Sequence, residues 1–185
     1  MIIIGITGTL GAGKGTIVDY LVQERGFLHF SVRGFITEEI ERQGLPVNRD
    51  SMVLVANKLR ADNSPSFIID ELYKRALVSG KNCIIESIRT PGEVESLRKK
   101  ENFLLLAVDA DSMLRYNRIV VRNSETDKIS FDTFVENEER EMQSNDPNKQ
   151  NISRCIQQAD HIFYNNSTVN ELHNQIEAVL KNLAI

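Results

Sequence analysis

The chain has 185 residues, about the length of one domain, and a domain of this size buries enough surface to fold without a metal ion or a disulfide. Hydrophobic residues make up 41% and charged residues 26% of the sequence, which is ordinary globular usage and excludes a largely disordered chain. The net charge of −4 shows no basic excess, so we expect no nucleic-acid partner.

Strand and helix patterns alternate along the chain. In chain order, we predict a strand at residues 2–7, a helix at 16–25, a strand at 27–31, helices at 37–43, 51–59 and 65–79, a strand at 82–88, a helix at 92–100, a strand at 103–108, helices at 112–122 and 131–143, a strand at 161–164 and a helix at 169–183. Asp50 is the predicted N-cap of the third helix, and Pro65 the first residue of the fourth. This alternation predicts an α/β fold in one domain, residues 1–185, with a mostly parallel five-stranded sheet and helices on both faces.

The segment between the first strand and the first helix carries the strongest functional signal. It has the sequence Gly-Thr-Leu-Gly-Ala-Gly-Lys-Gly-Thr, and glycines allow backbone N–H groups to turn inward around an anion. The positive end of the helix that begins near Lys14 points at the same place, where a lysine is otherwise unfavourable. The pattern therefore predicts a phosphate-binding loop in a three-layer P-loop NTPase fold. A dinucleotide-binding fingerprint is excluded, because no Gly-x-Gly-x-x-Gly register fits. The candidate nucleotide-binding residues are Gly8, Gly11, Ala12, Gly13, Lys14, Gly15 and Thr16.

Gly15 stands where the general P-loop has the Ser or Thr that ligates Mg²⁺. This Gly-Lys-Gly-Thr form resembles the adenylate kinase family and its nucleoside monophosphate kinase relatives. The resemblance implies ATP and Mg²⁺ as cofactors and a catalytic Lys14 at the β- and γ-phosphates. It also implies that Thr16 contacts the phosphates nearby, with Mg²⁺ held mostly through water.

Glu86 and Arg89 follow the third predicted strand, and ligands bind at the carboxyl ends of such strands. Their segment, Glu-Ser-Ile-Arg-Thr-Pro, resembles the acceptor site of adenylate kinases. The resemblance implies that Glu86 orients hydrated Mg²⁺ and that Arg89 is a catalytic group that holds the acceptor phosphate.

Arg115, Arg118 and Arg122 share one face of a predicted helix, where like charges are unfavourable without a counter-ion. Arg118 and Arg122 resemble the arginine pair that opens the lid of nucleoside monophosphate kinases. The resemblance implies a short lid at residues 123–130 and contact of both arginines with the transferring phosphoryl group. An ordinary salt-bridged helix face is the alternative, and it fits Arg115 best.

Ser31 and Arg33 follow the second strand, where these kinases place the acceptor-binding helix, which implies a helical acceptor region at residues 31–79. The sequence departs from the adenylate kinase pattern at the residues that read adenine, and Glu93 could instead accept from a cytosine amino group.

The end of the chain looks more like dephospho-CoA kinases, in which the loop after the last strand borders the adenine of ATP. On that resemblance Asn165 is a donor-site candidate, and a polar turn that caps the last helix is the alternative.

The two cysteines and the N-terminus bear on the compartment. Cys83 and Cys155 match neither a zinc-binding nor a disulfide pattern, which favours a reducing environment. Glycines and a lysine interrupt the apolar N-terminus well before the roughly 20 residues that a membrane span needs. We therefore expect a cytoplasmic protein without a membrane partner, and the sequence carries no signal for its oligomeric state.

Three hypotheses follow. The leading one is transfer of the γ-phosphoryl group of ATP to a nucleoside or deoxynucleoside 5′-monophosphate, so that the partners are small-molecule nucleotides. The second is a dephospho-CoA kinase, whose acceptor is a ribose 3′-hydroxyl. The third is a nucleotide-binding regulatory protein without kinase turnover.

Overall fold

A computed structural model describes residues 1–124 and 128–183. Its sheet has the order β2-β3-β1-β4-β5, and every neighbouring pair of strands is parallel. The strands are β1 (Ile3–Gly8), β2 (Leu28–Ser31), β3 (Cys83–Glu86), β4 (Phe103–Asp109) and β5 (His161–Tyr164). The five-stranded α/β architecture predicted from the alternation of strands and helices is confirmed.

Helices cover both faces of the sheet. They are α1 (Lys14–Arg25), α2 (Val32–Arg42), α3 (Arg49–Asp62), α4 (Phe67–Ser79), α5 (Pro91–Arg98), α6 (Ser112–Arg122), α7 (Phe131–Met142), α8 (Ile152–Gln157) and α9 (Val169–Asn182). One apolar cluster packs α2 to α5 and α8 against one face, and a second packs α1 and α9 against the other. Side chains alternate between the two faces along each strand, so that Ile3 joins the first cluster and Ile4 the second. The result is the three-layer arrangement of P-loop proteins.

Three predicted helix starts are wrong, and capping interactions account for two of them. Helix α2 begins five residues before the predicted position, because the Ser31 hydroxyl accepts from the Gly34 N–H and caps it. The predicted N-cap Asp50 is wrong, since Asn48 forms a capping box with Ser51. Pro65 is not the first residue of α4, which begins at Phe67. Helix α8 was not predicted at all, because its six residues are too few to show a periodic apolar stripe.

Three further expectations can be compared with the described residues. Within 1–124 and 128–183, no helix is both long and apolar enough to cross a membrane. The lid predicted at 123–130 lies partly outside the described residues, which break off at 124 and resume at 128. The segment 31–79 forms α2, α3 and α4, whose apolar faces pack together beside β2 and β3.

Candidate active site

The loop between β1 and α1 depends on glycine at its tightest points. Gly13, the N-cap of α1, has φ 110°, and a Cβ on it would overlap Nδ2 of Asn165. Gly11 has φ 78°, and a Cβ there would overlap the carbonyl oxygen of Arg115. The loop therefore adopts its path only because these positions lack side chains.

Lys14 folds back over this loop. Its Nζ donates to the carbonyl oxygens of Gly8 at 2.9 Å and Thr9 at 2.8 Å. Burial, and after it the charge of Arg89, lower the pKa of Lys14 to about 8, although the charge of Glu86 raises it. The surroundings thus penalise the ammonium charge, which an anion bound in the loop would compensate.

Asn165 supports the loop from the far side. Its side-chain Nδ2 donates to the backbone carbonyl oxygen of Ala12 at 2.8 Å. Its backbone carbonyl oxygen accepts from Nη2 of Arg118 at 2.8 Å. The alternative of a polar turn that caps the last helix fits the segment after β5, where Thr168 caps α9 by accepting from the Glu171 N–H, but Asn165 itself is not the cap. Asn165 also faces the cavity described below.

Glu86 ends β3 with its carboxylate directed toward the loop side of the sheet. Burial raises the pKa of Glu86, but His29, the hydroxyl of Ser87 and the charge of Lys14 together lower it to about 2. His29 Nε2 lies 3.8 Å from the carboxylate, and the Ser87 hydroxyl donates to it. Ser87 has φ 73°, a strained value for a residue with a side chain. The carboxylate therefore stays ionised at neutral pH.

Arg89 is held by residues that the sequence did not single out. Its Nη1 donates to Oε2 of Glu141 at 2.9 Å and to Oε1 of Gln150 at 2.8 Å. Arg49 donates to the other oxygen of the same Glu141 carboxylate. Arg115 instead pairs with Glu138 and donates to the carbonyl oxygens of Ala110 and Leu10, which fits the alternative of a salt-bridged helix face.

These groups surround a cavity of about 730 Å³ that reaches from the loop to α2 and α3. The described residues that line it include seven cations and three carboxylates, although the whole chain has a net charge of −4. The cations are Lys14, Arg33, Arg49, Arg60, Arg89, Arg118 and Arg122, and the carboxylates are Asp19, Glu86 and Glu141. A positive cavity in an acidic protein is suited to an anionic ligand.

Most of the residues predicted for the site meet at this cavity. They are Gly11, Gly13, Lys14, Gly15, Thr16, Arg33, Glu86, Arg89, Arg118, Arg122 and Asn165. Gly8 and Ala12 are absent from the lining; their carbonyl oxygens accept from Nζ of Lys14 and from Nδ2 of Asn165, respectively. Ser31 also stays outside the lining as the cap of α2.

Arg49, Arg60 and Glu141 are the functional candidates that sequence reasoning missed. Arg49 is the first residue of α3, so a basic residue at a helix start was the one available signal, as it was for Lys14. Glu141 gave the mirrored signal, a carboxylate in the last turn of a helix, whereas Arg60 gave none, since a basic residue is ordinary near the end of α3. Glu93, considered as a base-reading residue, is fully buried and binds Arg60 and two backbone N–H groups, so it cannot reach a ligand.

Comparisons with known proteins place this geometry in context. A family model described as AAA domain matches residues 4–144. A UPF0200 protein of Methanococcus maripaludis (strain C7) is 30% identical over 194 residues, which covers 99% of this chain and 98% of that protein.

Solved structures share the fold at low sequence identity. TT1252 from Thermus thermophilus has a TM-score of 0.63 at 19% identity and covers 98% of this chain and 97% of its own. A gluconokinase from Sinorhizobium meliloti 1021 has a TM-score of 0.60 at 11% identity, with 99% and 93% of the two chains covered. These similarities show that the chain has a P-loop kinase-like fold.

Proposed function

The chain belongs to the family of this AAA-domain model and to the UPF0200 proteins, and from that premise we propose that it is an ATP-dependent phosphotransferase whose acceptor is a nucleoside or deoxynucleoside 5′-monophosphate. The observation that carries the proposal is the cavity that joins the phosphate loop to a set of arginines. Its volume is within the range of small-molecule sites. The gluconokinase supports the reaction class, since its name describes phosphoryl transfer on the same fold.

The two ends of the cavity suit a donor and an acceptor. Glycines of the loop, Lys14 and Asn165 form the donor end, where the N-terminus of α1 adds its partial positive charge. The acceptor end lies against α2 and α3, within the proposed acceptor region 31–79. Its apolar wall consists of Val32, Ile36, Met52, Val53 and Ala56. This wall suits a planar base, while Arg33, Arg49 and Arg89 suit the acceptor phosphate.

Phosphoryl transfer to a monophosphate needs no general base, because the attacking phosphate oxygen is already an anion. A bond forms between that oxygen and the γ-phosphorus, while the bond from the γ-phosphorus to the β,γ-bridging oxygen breaks and ADP leaves with the electron pair. Lys14, Arg118 and Arg122 line the cavity and would stabilise charge on the transferring group.

The residues present fit Mg²⁺ as the metal cofactor. Thr16 and the ionised Glu86 both line the cavity and offer the hard oxygen atoms that Mg²⁺ prefers. When bound, Mg²⁺ would neutralise charge on the phosphates of ATP. The role proposed for Thr16 and Glu86 is to orient its water ligands.

A coupled assay of ADP release tests the proposal. The panel contains ATP·Mg²⁺ with each common nucleoside and deoxynucleoside monophosphate and with dephospho-CoA. We expect at least one monophosphate to accelerate ADP release, and Lys14→Ala to slow it by about 100-fold or more while the circular dichroism spectrum stays unchanged. Undiminished turnover of Lys14→Ala would overturn the proposal. Acceleration by dephospho-CoA alone would assign the second hypothesis, and ATP binding without any active acceptor would assign the third.

A further inference from the structure

The acceptor end of the cavity contains a carboxylate where the proposed function places an anionic substrate. Glu141 lies in the last turn of α7, and its side chain is only 8% exposed. It bridges Arg49 at the start of α3 and Arg89 after β3, residues that are 92 and 52 positions away in the sequence. Three separate elements thus meet around one carboxylate.

Three arginines that line the cavity each have a buried nitrogen without an acceptor in the described part of the chain. Arg49 Nε is buried and has no partner among the described residues, and the same is true of Nη1 in Arg60 and in Arg118. All three arginines line the cavity. A buried donor without an acceptor is unfavourable, so these orphaned nitrogens indicate a site built for more acceptor oxygens than the protein itself supplies.

Helix dipoles disfavour both partners of the bridge. Arg49 places a positive charge at the positive end of α3, and Glu141 places a negative charge at the negative end of α7. Neither residue is where helix stability alone would put it. An anion that binds between Arg49 and Arg89 would interact favourably with the N-terminus of α3 as well as with the two guanidinium groups.

We propose that Arg49 and Arg89 form the anion subsite for the acceptor, and that Glu141 is an internal counter-ion which the acceptor phosphate displaces. Two guanidinium groups and one carboxylate leave a net charge of +1, whereas exchange of Glu141 for a phosphate dianion brings the subsite to neutrality. Glu141 therefore holds the two arginines in position before the acceptor binds, and its competition with the phosphate sets the affinity for the acceptor. This inference rests on the proposed function, since it names the residues that receive the acceptor phosphate.

Ribose 5-phosphate, the portion common to all nucleoside monophosphates, is the probe. It is titrated calorimetrically into the full chain in a Lys14→Met background, in which the phosphate loop competes less for the probe, and neutral ribose serves as the control ligand. The matched control variant is Glu138→Gln, one turn earlier on α7, because Glu138 pairs with Arg115 outside the cavity.

We expect Glu141→Gln to tighten ribose 5-phosphate binding by roughly five-fold, because the competing charge is removed. Arg49→Met should weaken it by at least that factor, and Glu138→Gln should leave it unchanged. Weaker binding in Glu141→Gln, or an equal effect of Glu138→Gln, would overturn the inference. The readout is binding without turnover, so an inactive enzyme with this pattern of affinities would contradict the proposed function and leave the subsite intact.

A second measurement uses a chain with an unchanged subsite. If the phosphate displaces Glu141, saturating ribose 5-phosphate should increase amide hydrogen exchange in the last turn of α7 in the Lys14→Met protein. Protection that is unchanged or increased there would contradict displacement, whatever the folding behaviour of the Glu141→Gln variant.

Discussion

At the scale of single residues, the conformation of the phosphate loop requires glycine at some positions and tolerates a side chain at others. Gly13 and Gly15 are two positions apart, yet their environments differ. A side chain on Gly13 would need a positive φ and would overlap Asn165, whereas a Cβ on Gly15 has no protein atom within 4 Å.

We therefore expect Gly13→Ala to lower the free energy of unfolding by about 2 to 4 kcal/mol, from backbone strain and the lost hydrogen bond between Asn165 and Ala12. The matched control Gly15→Ala should leave it unchanged or raise it by up to about 1 kcal/mol, since alanine favours a helix. Urea denaturation of the two variants provides the comparison. Equal stabilities would show that the loop does not have the described conformation.

Sequence alone predicted the loop between β1 and α1, because such a loop is local and its glycines lie close together in the chain. It did not show what Asn165 does, since the contact with Ala12 spans 153 positions and depends on how β5 lies beside the loop. The same applies to Arg49 and Glu141, which are ordinary surface charges in the sequence and become partners only through packing. Long-range pairs of this kind leave no periodic or motif signal.

At the scale of elements, a buried ion pair fixes α3 to the start of α5. Arg60 donates through Nε and Nη2 to Oε1 of Glu93, and both side chains are almost fully buried. Oε2 of Glu93 accepts from the N–H groups of Arg89 and Thr90, which closes a capping box on α5. Glu93 thus positions the backbone of Arg89 relative to the acceptor wall.

Removal of either charge leaves the other buried and uncompensated. We expect Arg60→Met and Glu93→Gln each to lower the free energy of unfolding by about 3 to 5 kcal/mol, and the double variant to lose clearly less than the sum. A double-mutant cycle measured by urea denaturation gives the coupling. Strictly additive losses would contradict a direct pair.

The predicted ends of helices and strands agree with the structure where a change in the apolar pattern marks them. Helix α6 and strand β5 have the predicted limits, because each begins and ends with a change of pattern. The start of α2 was missed because a glycine and an arginine follow Val32 in its first turn, although Val32 is buried with Ile36 and Ile40; the Ser31 cap determines the start. Caps of this kind depend on single hydrogen bonds, so boundaries are harder to predict than the elements themselves.

At the scale of the whole molecule, charge is distributed unevenly. The chain has a net charge of −4, but cations outnumber carboxylates by seven to three among the described residues of the cavity. Parallel strand order accounts for part of this, because it brings the carboxyl ends of β1 and β3, and hence the loop and Glu86, to one edge. Composition alone excluded a basic protein and could not reveal a basic cavity.

The most direct test of the account is titration calorimetry of ATP with Mg²⁺ into the full chain. We expect one ATP to bind per chain with a dissociation constant between about 1 μM and 1 mM, the range of ordinary enzyme substrates. Lys14→Ala should weaken this binding by at least about ten-fold, which corresponds to the loss of a charge-assisted contact with phosphate. Absence of binding heat at millimolar ATP and Mg²⁺ would contradict a loop built to hold a nucleoside triphosphate. Equal affinity of Lys14→Ala and the unchanged protein for ATP would contradict it as well.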